Sequence, residues 1–336
     1  MTRIALTFYS VLRMPVADII ECAQAAEKAG FQYISFAESF YRDGPALAAT
    51  IASRTTRIQL GTSVLPIYTR TPFQLAMAMA TLHEISGGRV GYLGIGIGYR
   101  SRTETYFGIN IERPLERMRE TVEIIRLLLS GKDASHAGKV FRFSGFPKLT
   151  PDPLPIPIYF GSSGDRMLTL AGEIADGGIL NSIPTPGHIR HARQVLQRGA
   201  AKAGRDPGRL TVAASVIYSV SDNLEEAAAA AKEDVLFYLG YPEINPILEQ
   251  SGLMKAAESV RQASREHGKR LALELIDKPM LDALAVYGDA KRCRARLKEL
   301  MEAGIDLPII RVSNALYPEA DKKRVFLRAI ESLQGF

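Results

Sequence analysis

A chain of 336 residues with 46% hydrophobic and 23% charged residues has an ordinary globular composition, with length for one large domain or two medium ones. No apolar run approaches the ~20 residues that span a bilayer, and two distant cysteines, Cys22 and Cys293, make neither a disulfide framework nor a metal spacing. The net charge of +6 is dispersed, and even its densest group (Lys291, Arg292, Arg294, Arg296, Lys298) reads as the wet face of a helix, so neither nucleic acid nor membrane is expected as a partner.

Short apolar runs alternate with helical patterns along the chain. Ile4 to Phe8 reads as a first strand, and it begins with no signal-peptide profile before it, which makes the cytoplasm the expected location. Val16 to Gly30 follows as a helix with apolar residues at Ile19, Ile20, Ala23 and Ala26 and a closing glycine. Tyr33 to Phe36 is the second strand, Pro45 to Ala52 a helix, and Ile58 to Val64 the third strand. Thr71 and Pro72 then open a helix that runs from Phe73 to Ile85. Val90 to Ile95 is the fourth strand, and the next helix is expected only from Pro114 to Leu129.

Residues 131–156 interrupt the rhythm, and "GKVFRFSGFP" within them reads as a small hairpin. Ile158 to Phe160, Gly178 to Leu180, Leu210 to Val220 and Pro308 to Val312 supply strands five to eight. Helices from Asp165 to Ala175, Gly187 to Ala203 and Lys322 to Leu333 stand beside them, and residues 223–303 hold more helix than one crossover needs. Parallel strands need long crossovers, so eight such units predict an α/β fold, a single-domain (β/α)8 barrel over 1–336. Within it, 223–268 is a helical insertion after strand seven, the expected lid or substrate-specifying segment. A doubly wound open sheet is the structural rival.

In a barrel the functional groups sit at the C-terminal strand ends. Those ends hold Phe8-Tyr9-Ser10, Ala37-Glu38-Ser39, Thr62-Ser63-Val64, Gly96-Ile97-Gly98-Tyr99, Gly161 to Gly164, Asn181-Ser182, Ser219 to Ser221 and Ser313-Asn314. No metal set is expected: the five histidines fall elsewhere, and His188 with His191 reads as a solvated helix face. "GSSGD" joins strand five to a helix start, where free backbone amides make an anion cradle; the plainer reading is a turn capped by Ser163 or Asp165. Gly94, Gly96 and Gly98 strip one face of a strand end. That admits a flat ligand against backbone, or close packing inside the barrel.

"LGTSVLPIYTRTP", "LHEISGGRVGYLGIGIG", "FGI…ERMRETVEIIRLLLSGK" and "PIPIYFGSSGDRMLTLAGEIADGGILNS" stand in the order seen in the bacterial-luciferase-like superfamily. The chain resembles its coenzyme F420-dependent branch, which includes methylenetetrahydromethanopterin reductase, over about residues 1–215 and again at Asp282 to Asp306. The resemblance implies a hydride-transfer enzyme that uses F420 on a small organic substrate. Its alternatives are an FMN-dependent monooxygenase using dioxygen and a non-catalytic binding or scaffold protein. It also implies a homodimer through helices of the second and third units.

Residue by residue, the resemblance implies a bulge at Thr62, Ser63 and Val64, with a cis Ser63–Val64 bond behind the ring system. Gly161, Ser162 and Ser163 would hold the cofactor phosphate with help from Asn181 and Ser182, while Gly96 and Gly98 would flank the ring or its ribityl chain. Tyr9, Tyr68, Arg70 and Arg100 fall on the substrate side. The chain departs from the pattern twice. Glu38-Ser39 replaces the Asp-His that often ends the second strand, and Gly98-Tyr99 replaces an acid after the fourth. Glu38 and Tyr99 are therefore the candidates for proton handling, with Glu38 also a cofactor contact; a salt bridge from Glu38 to Arg42 or Arg70 is the alternative.

Overall fold

The computed structural model describes residues 3–8, 14–38 and 41–336. Eight parallel strands form the barrel: β1 (Ala5–Phe8), β2 (Tyr33–Phe36), β3 (Gln59–Thr62), β4 (Val90–Gly96), β5 (Ile158–Gly161), β6 (Gly177–Leu180), β7 (Thr211–Val220) and β8 (Leu307–Val312). Each pairs with its sequence neighbours, and β8 pairs with β1 at Ala5↔Ile309, so the eight strands close into a ring. The open-sheet rival is thereby excluded.

The strands begin and end within two residues of expectation, and the caps explain why their helices were legible. Gly30 ends the first helix in the left-handed conformation with φ of 90°. Thr71 and Gln74 form a reciprocal capping box at the start of the Pro72–Ile85 helix.

Inside the barrel, Tyr33, Tyr92 and Tyr159 fill the middle, with Tyr92 stacked on Tyr159 at 4.9 Å between ring centres. Gly61 makes this possible: a Cβ there would lie 2.3 Å from the Tyr92 ring. The tyrosines plug the barrel below its mouth, and Tyr92 hands its hydroxyl hydrogen to Ser35. The main core lies between strands and outer helices, where Leu6, Ile34, Leu60, Leu93 and Phe160 are fully buried.

Four expectations need correction. A helix spans Arg100–Phe107, immediately after β4. Its sequence, Arg-Ser-Arg-Thr-Glu-Thr-Tyr-Phe, has no apolar stripe and so gave no periodic signal. The hairpin pairs Ala134–Ala137 with Arg142–Phe146, so it begins before Gly138, and residues 138–141 are its turn. Glu120 reaches up from the Pro114–Leu128 helix and accepts the amides of Lys139, Val140 and Phe141 in that turn. His188 is not on a solvated face: it is wholly buried, bonded through Nδ1 to Gln250 at 2.8 Å. The cationic group near residue 292 is not simply wet either, since Arg292 pairs with Asp282 and Arg294 donates to the Ser332 carbonyl.

The extra helical segment runs further than residue 268. Helices cover Leu224–Leu239, Asn245–Gln250, Met254–Glu266, Lys269–Leu275 and Lys278–Leu284, and a short strand, Val286–Gly288, follows. These helices enclose a second core that includes Val235, Ile247, Val260 and Leu281. Strand β7 is ten residues long because its end leaves the barrel and pairs with Val286–Gly288.

Candidate active site

A cavity of about 870 Å³ opens at the C-terminal ends of the strands, within the usual range for a cofactor or small-molecule site. Thr7, Ala37, Glu38, Ser63, Val64, Gly96, Gly98, Gly161, Asn181 and Ser215 line it from the barrel. Tyr238 and Glu243 line it from the extra helical segment.

The floor is built around one side chain. The Ser63–Val64 peptide is cis, and Leu65–Pro66 resumes pairing with β4 beyond it. Val64 sits between two glycines: a Cβ on Gly96 would lie 2.8 Å from its Cγ2, and one on Gly161 2.9 Å from its Cγ1. Close packing thus explains Gly96, and its effect is to seat Val64 as an apolar surface in the cavity. Beside it, Ser63 accepts a hydrogen bond from Ser35 at 2.7 Å. Thr62 lies below, where its Oγ1 bridges the carbonyl and amide of Gly94 at 2.8 Å; it is structural and does not line the cavity. Gly98, with φ of 75°, turns the chain from β4 toward the Arg100–Phe107 helix.

Beyond β5, Gly161 through Met167 all line the cavity. The helix Asp165–Ile174 starts from Gly164, and no side chain caps it. Ser163 is buried without capping, and Asp165 instead bonds His191 at 2.7 Å. The plain capped turn is therefore excluded. The first amides of this helix have no intrahelical partner, and with the helix dipole they favour an anion. Ser162 Oγ lies 3.3 Å from the Gly164 amide in the same loop.

The side wall is a set of hydroxyls. Ser182 Oγ lies 2.8 Å from Ser215 Oγ and 2.7 Å from the Tyr238 hydroxyl. Burial pushes the Tyr238 phenol up, while the Arg311 guanidinium and the Ser182 bond pull the other way without cancelling it. Asn181 accepts the Ser182 amide and donates to the Tyr99 hydroxyl at 3.2 Å. Tyr99 stacks on Tyr241, ring centres 4.1 Å apart, and Arg102 lies over Tyr241 and Phe237. This stack ties the Arg100–Phe107 helix to the extra segment across the mouth.

Glu38 lines the cavity, but its carboxylate is engaged. Arg70 binds it through Nε and Nη2, both at 2.8 Å, and the Gly44 amide adds a third bond. That bidentate pair is the salt bridge considered as the alternative role, and it holds the Arg70 guanidinium above its ordinary value. Of the substrate-side candidates, Tyr68, Arg70 and Arg100 are not among the lining residues. Tyr68 donates to the Glu112 carbonyl beneath Arg117, and Arg100 pairs with Glu104. Tyr9 lies outside the described residues, as do Ser10 and Ser39.

Several lining groups escaped sequence reasoning. Thr7 is 3% exposed and its hydroxyl has no partner among the described residues. It stands one residue before the Phe8-Tyr9-Ser10 strand end. Ser215 lies mid-strand because β7 overshoots the mouth, which also moves Ser219 and Ser221 away from the cavity. Arg102 and Glu243 had no periodic or motif signal. Among the described residues no cluster of three or more His, Cys, Asp or Glu could hold a metal ion, and no helix is long and apolar enough to cross a membrane.

Comparison with known proteins places this geometry. The family model described as luciferase-like monooxygenase matches residues 4–307. A 5,10-methylenetetrahydromethanopterin reductase of Methanolobus tindarius is 34% identical over 295 residues, covering 87% of this chain and 89% of that protein. A putative coenzyme F420-dependent oxidoreductase of Mycobacterium tuberculosis is 28% identical over 326 residues, covering 90% and 92%. The solved structure of a coenzyme F420-dependent tetrahydromethanopterin reductase from Methanopyrus kandleri superposes with a TM-score of 0.84 over 99% of both chains at 24% identity, a likeness of fold.

Proposed function

This chain belongs to the luciferase-like monooxygenase family, and from that premise we propose that it is an oxidoreductase exchanging a hydride between coenzyme F420 and a small organic substrate. The observation that carries the reading is the conjunction of an uncapped helix start at Gly164 with an apolar seat at Val64 in one cavity. A phosphate-bearing cofactor with a flat ring system needs both. The orphaned Thr7 hydroxyl adds a buried polar group for the ring's edge. F420, when bound, supplies the two-electron hydride chemistry.

The chain's own residues then divide the work. Amides of the loop from Gly161 and of the Asp165–Ile174 helix bind the phosphate, with Ser162 and Ser163 beside them. Val64, between Gly96 and Gly161, supports the ring. Asn181 and Ser182 fix the wall of hydroxyls, and the stack of Tyr99, Tyr241 and Arg102 keeps water from the mouth. Glu38, clamped by Arg70, shapes the pocket edge rather than moving a proton. A homodimer through helices of the second and third units is the proposed assembly; Met77 and Ile85 leave apolar surface exposed on the Pro72–Ile85 helix.

Quenching of F420 fluorescence against an FMN titration tests the reading. Saturable F420 binding, much tighter than FMN binding, is expected. Preferential FMN binding with NADH-driven oxygen uptake would select the monooxygenase alternative, and binding of neither cofactor the scaffold one.

A further inference from the structure

Three hydroxyls in the cavity wall come from three elements: Ser182 follows β6, Ser215 lies on β7, and Tyr238 stands near the end of the Leu224–Leu239 helix. Ser182 Oγ contacts both others, at 2.8 Å and 2.7 Å, and neither Ser215 nor Tyr238 has another hydrogen-bond partner among the described residues. A hydroxyl carries one hydrogen, so Ser182 donates to one neighbour and accepts from the other. Three hydrogens serve two bonds, and one is left over at an end of the chain. The two ends differ. Tyr238 is 3% exposed, and a phenol hydrogen left over there would be buried without an acceptor. Ser215 is half-buried, while Val212 to Ala214 before it and Val216 to Val220 after it are buried. It points into the barrel, because Ala213, on the same face of the strand, belongs to the inner core with Tyr92 and Tyr159. Its exposure is therefore to the cavity it lines. A phenol is also a stronger donor and a weaker acceptor than an aliphatic hydroxyl. The Arg311 guanidinium, 5.2 Å from the centre of the Tyr238 ring, strengthens that bias. Both differences run the chain from Tyr238 through Ser182 to Ser215 and put the spare hydrogen in the cavity.

We infer that Ser215 is a specificity-determining residue that donates a hydrogen bond to an uncharged carbonyl oxygen of the substrate, and that Tyr238 is a positioning residue that aims this hydrogen through Ser182. Charge favours a neutral acceptor. The cation beside the three hydroxyls, Arg311, is paired with Asp234 at 2.6 Å, so a carboxylate or phosphate here would meet one O–H and no free positive charge. The cradle for an anion lies elsewhere in the cavity, at the start of the Asp165–Ile174 helix. A carbonyl oxygen needs only the one donor that is offered. Burial holds the Tyr238 phenol above its ordinary value, so the chain keeps its three hydrogens through the neutral range. Position favours the substrate over the cofactor. In the closed ring β7 stands four strands round from β3, which leads into Val64, so the hydroxyls face the cofactor seat from across the mouth. The inference rests on the F420 reading, which puts the ring system on Val64 and leaves this wall to the substrate.

The test compares the wild type with Ser215→Ala and Tyr238→Phe, each first titrated with oxidised F420 by fluorescence quenching. Each protein saturated with oxidised F420, which has no hydride to give, is then titrated with carbonyl-labelled cyclohexanone and with methylenecyclohexane, its counterpart without the oxygen. Calorimetry reads the affinities, and infrared difference spectra read the labelled carbonyl stretch. Wild type is expected to prefer the ketone by about tenfold or more, since a site built around a hydrogen bond rejects the analogue that cannot make it. Its carbonyl stretch is expected at lower frequency than in Ser215→Ala, which loses the preference. Tyr238→Phe is expected to give a stretch between the two, because the serine hydrogen is present but no longer polarised or aimed by the phenol, a graded signature that mere loosening of the wall would not produce. F420 affinity is expected to be the same in all three. A stretch common to wild type and Ser215→Ala, or no ketone binding with F420 binding intact, overturns the assignment of Ser215. A stretch common to wild type and Tyr238→Phe overturns that of Tyr238. Weaker F420 binding in Ser215→Ala would give the hydroxyl to the cofactor and overturn its assignment to the substrate. Failure of the wild type to bind F420 overturns the functional reading and this inference with it.

Discussion

Val64 and the two glycines beside it are the residues on which the site turns. Adding one methyl group at Gly96 or Gly161 places it within 3 Å of a Val64 methyl, closer than packed carbons lie. Gly96→Ala and Gly161→Ala are each expected to weaken F420 binding at least about tenfold while costing only about 1–3 kcal/mol of stability. Fluorescence quenching and thermal melts on the same samples check both halves. The cysteines make a contrasting prediction. Both are wholly buried, and burial pushes the Cys22 and Cys293 thiols up to about 12. Iodoacetamide at pH 8 is expected to label neither in the native protein and both after denaturation, as mass spectrometry would show; rapid native labelling would contradict their packing. At this scale the sequence was only partly readable. Glycines and small polar residues at strand ends marked the mouth, and the resemblance pointed to Ser63–Val64. Glu38's clamp was legible only as an alternative, with Arg42 or Arg70 as the partner, because Arg70 lies 32 residues away and only the fold aims it. Thr7 and Glu243 carry no motif; that they line the cavity shows only once the chain is folded.

Among the elements, the Leu224–Leu239 helix governs how the extra segment meets the barrel. Asp234 on this helix pairs with Arg311 on β8 at 2.6 Å, with side chains 6% and 4% exposed. The contact is an ion pair without an aligned hydrogen bond between the same atoms. Breaking a buried ion pair from one side is costly, so Asp234→Ala is expected to cost about 3–5 kcal/mol. Asp234→Leu combined with Arg311→Met is expected to recover much of that, and urea titration would report both. A second junction joins His188 to Gln250. Burial pushes the His188 imidazole below its ordinary value, only partly opposed by the Gln250 bond. The folded state therefore favours the neutral ring, and its contribution is full above about pH 6.5 and is lost as pH falls below it. Proteolysis near the turn at residues 251–253 is expected to quicken between pH 7.5 and 5.5, and His188→Phe to remove that pH dependence; an unchanged rate in the wild type would contradict it.

Strands and capped helices were legible because apolar spacing, prolines and cap residues all gave the same reading. The Arg100–Phe107 helix was not, since it carries no apolar stripe and is held by the aromatic stack and Glu243. The course of the extra segment beyond residue 268 was equally hidden, because its second core is visible only once the helices meet.

For the molecule as a whole, eight strands close into a barrel plugged by tyrosines, and the mouth above them is left for a ligand. Eight alternating units made the barrel the favoured fold, because parallel strands joined by long crossovers have few ways to bury both faces, but closure itself is visible only in the pairing of β8 with β1. How far each strand projects was not. Strand β7 runs past the mouth, and that shift moved the lining position from Ser219 to Ser215. Light scattering is expected to find a dimer, and charge placed at Met77 to weaken it; a monomer at all concentrations would remove the proposed assembly while leaving the cavity intact. The central claim, that this mouth holds F420 with its phosphate at the uncapped helix and its ring on Val64, is tested most directly by a crystal structure of the protein with F420. The account predicts the phosphate within hydrogen-bond distance of the amides that follow Gly161 and the ring system in contact with the Val64 methyls. A cofactor bound elsewhere, or a ring displaced from Val64, would contradict it.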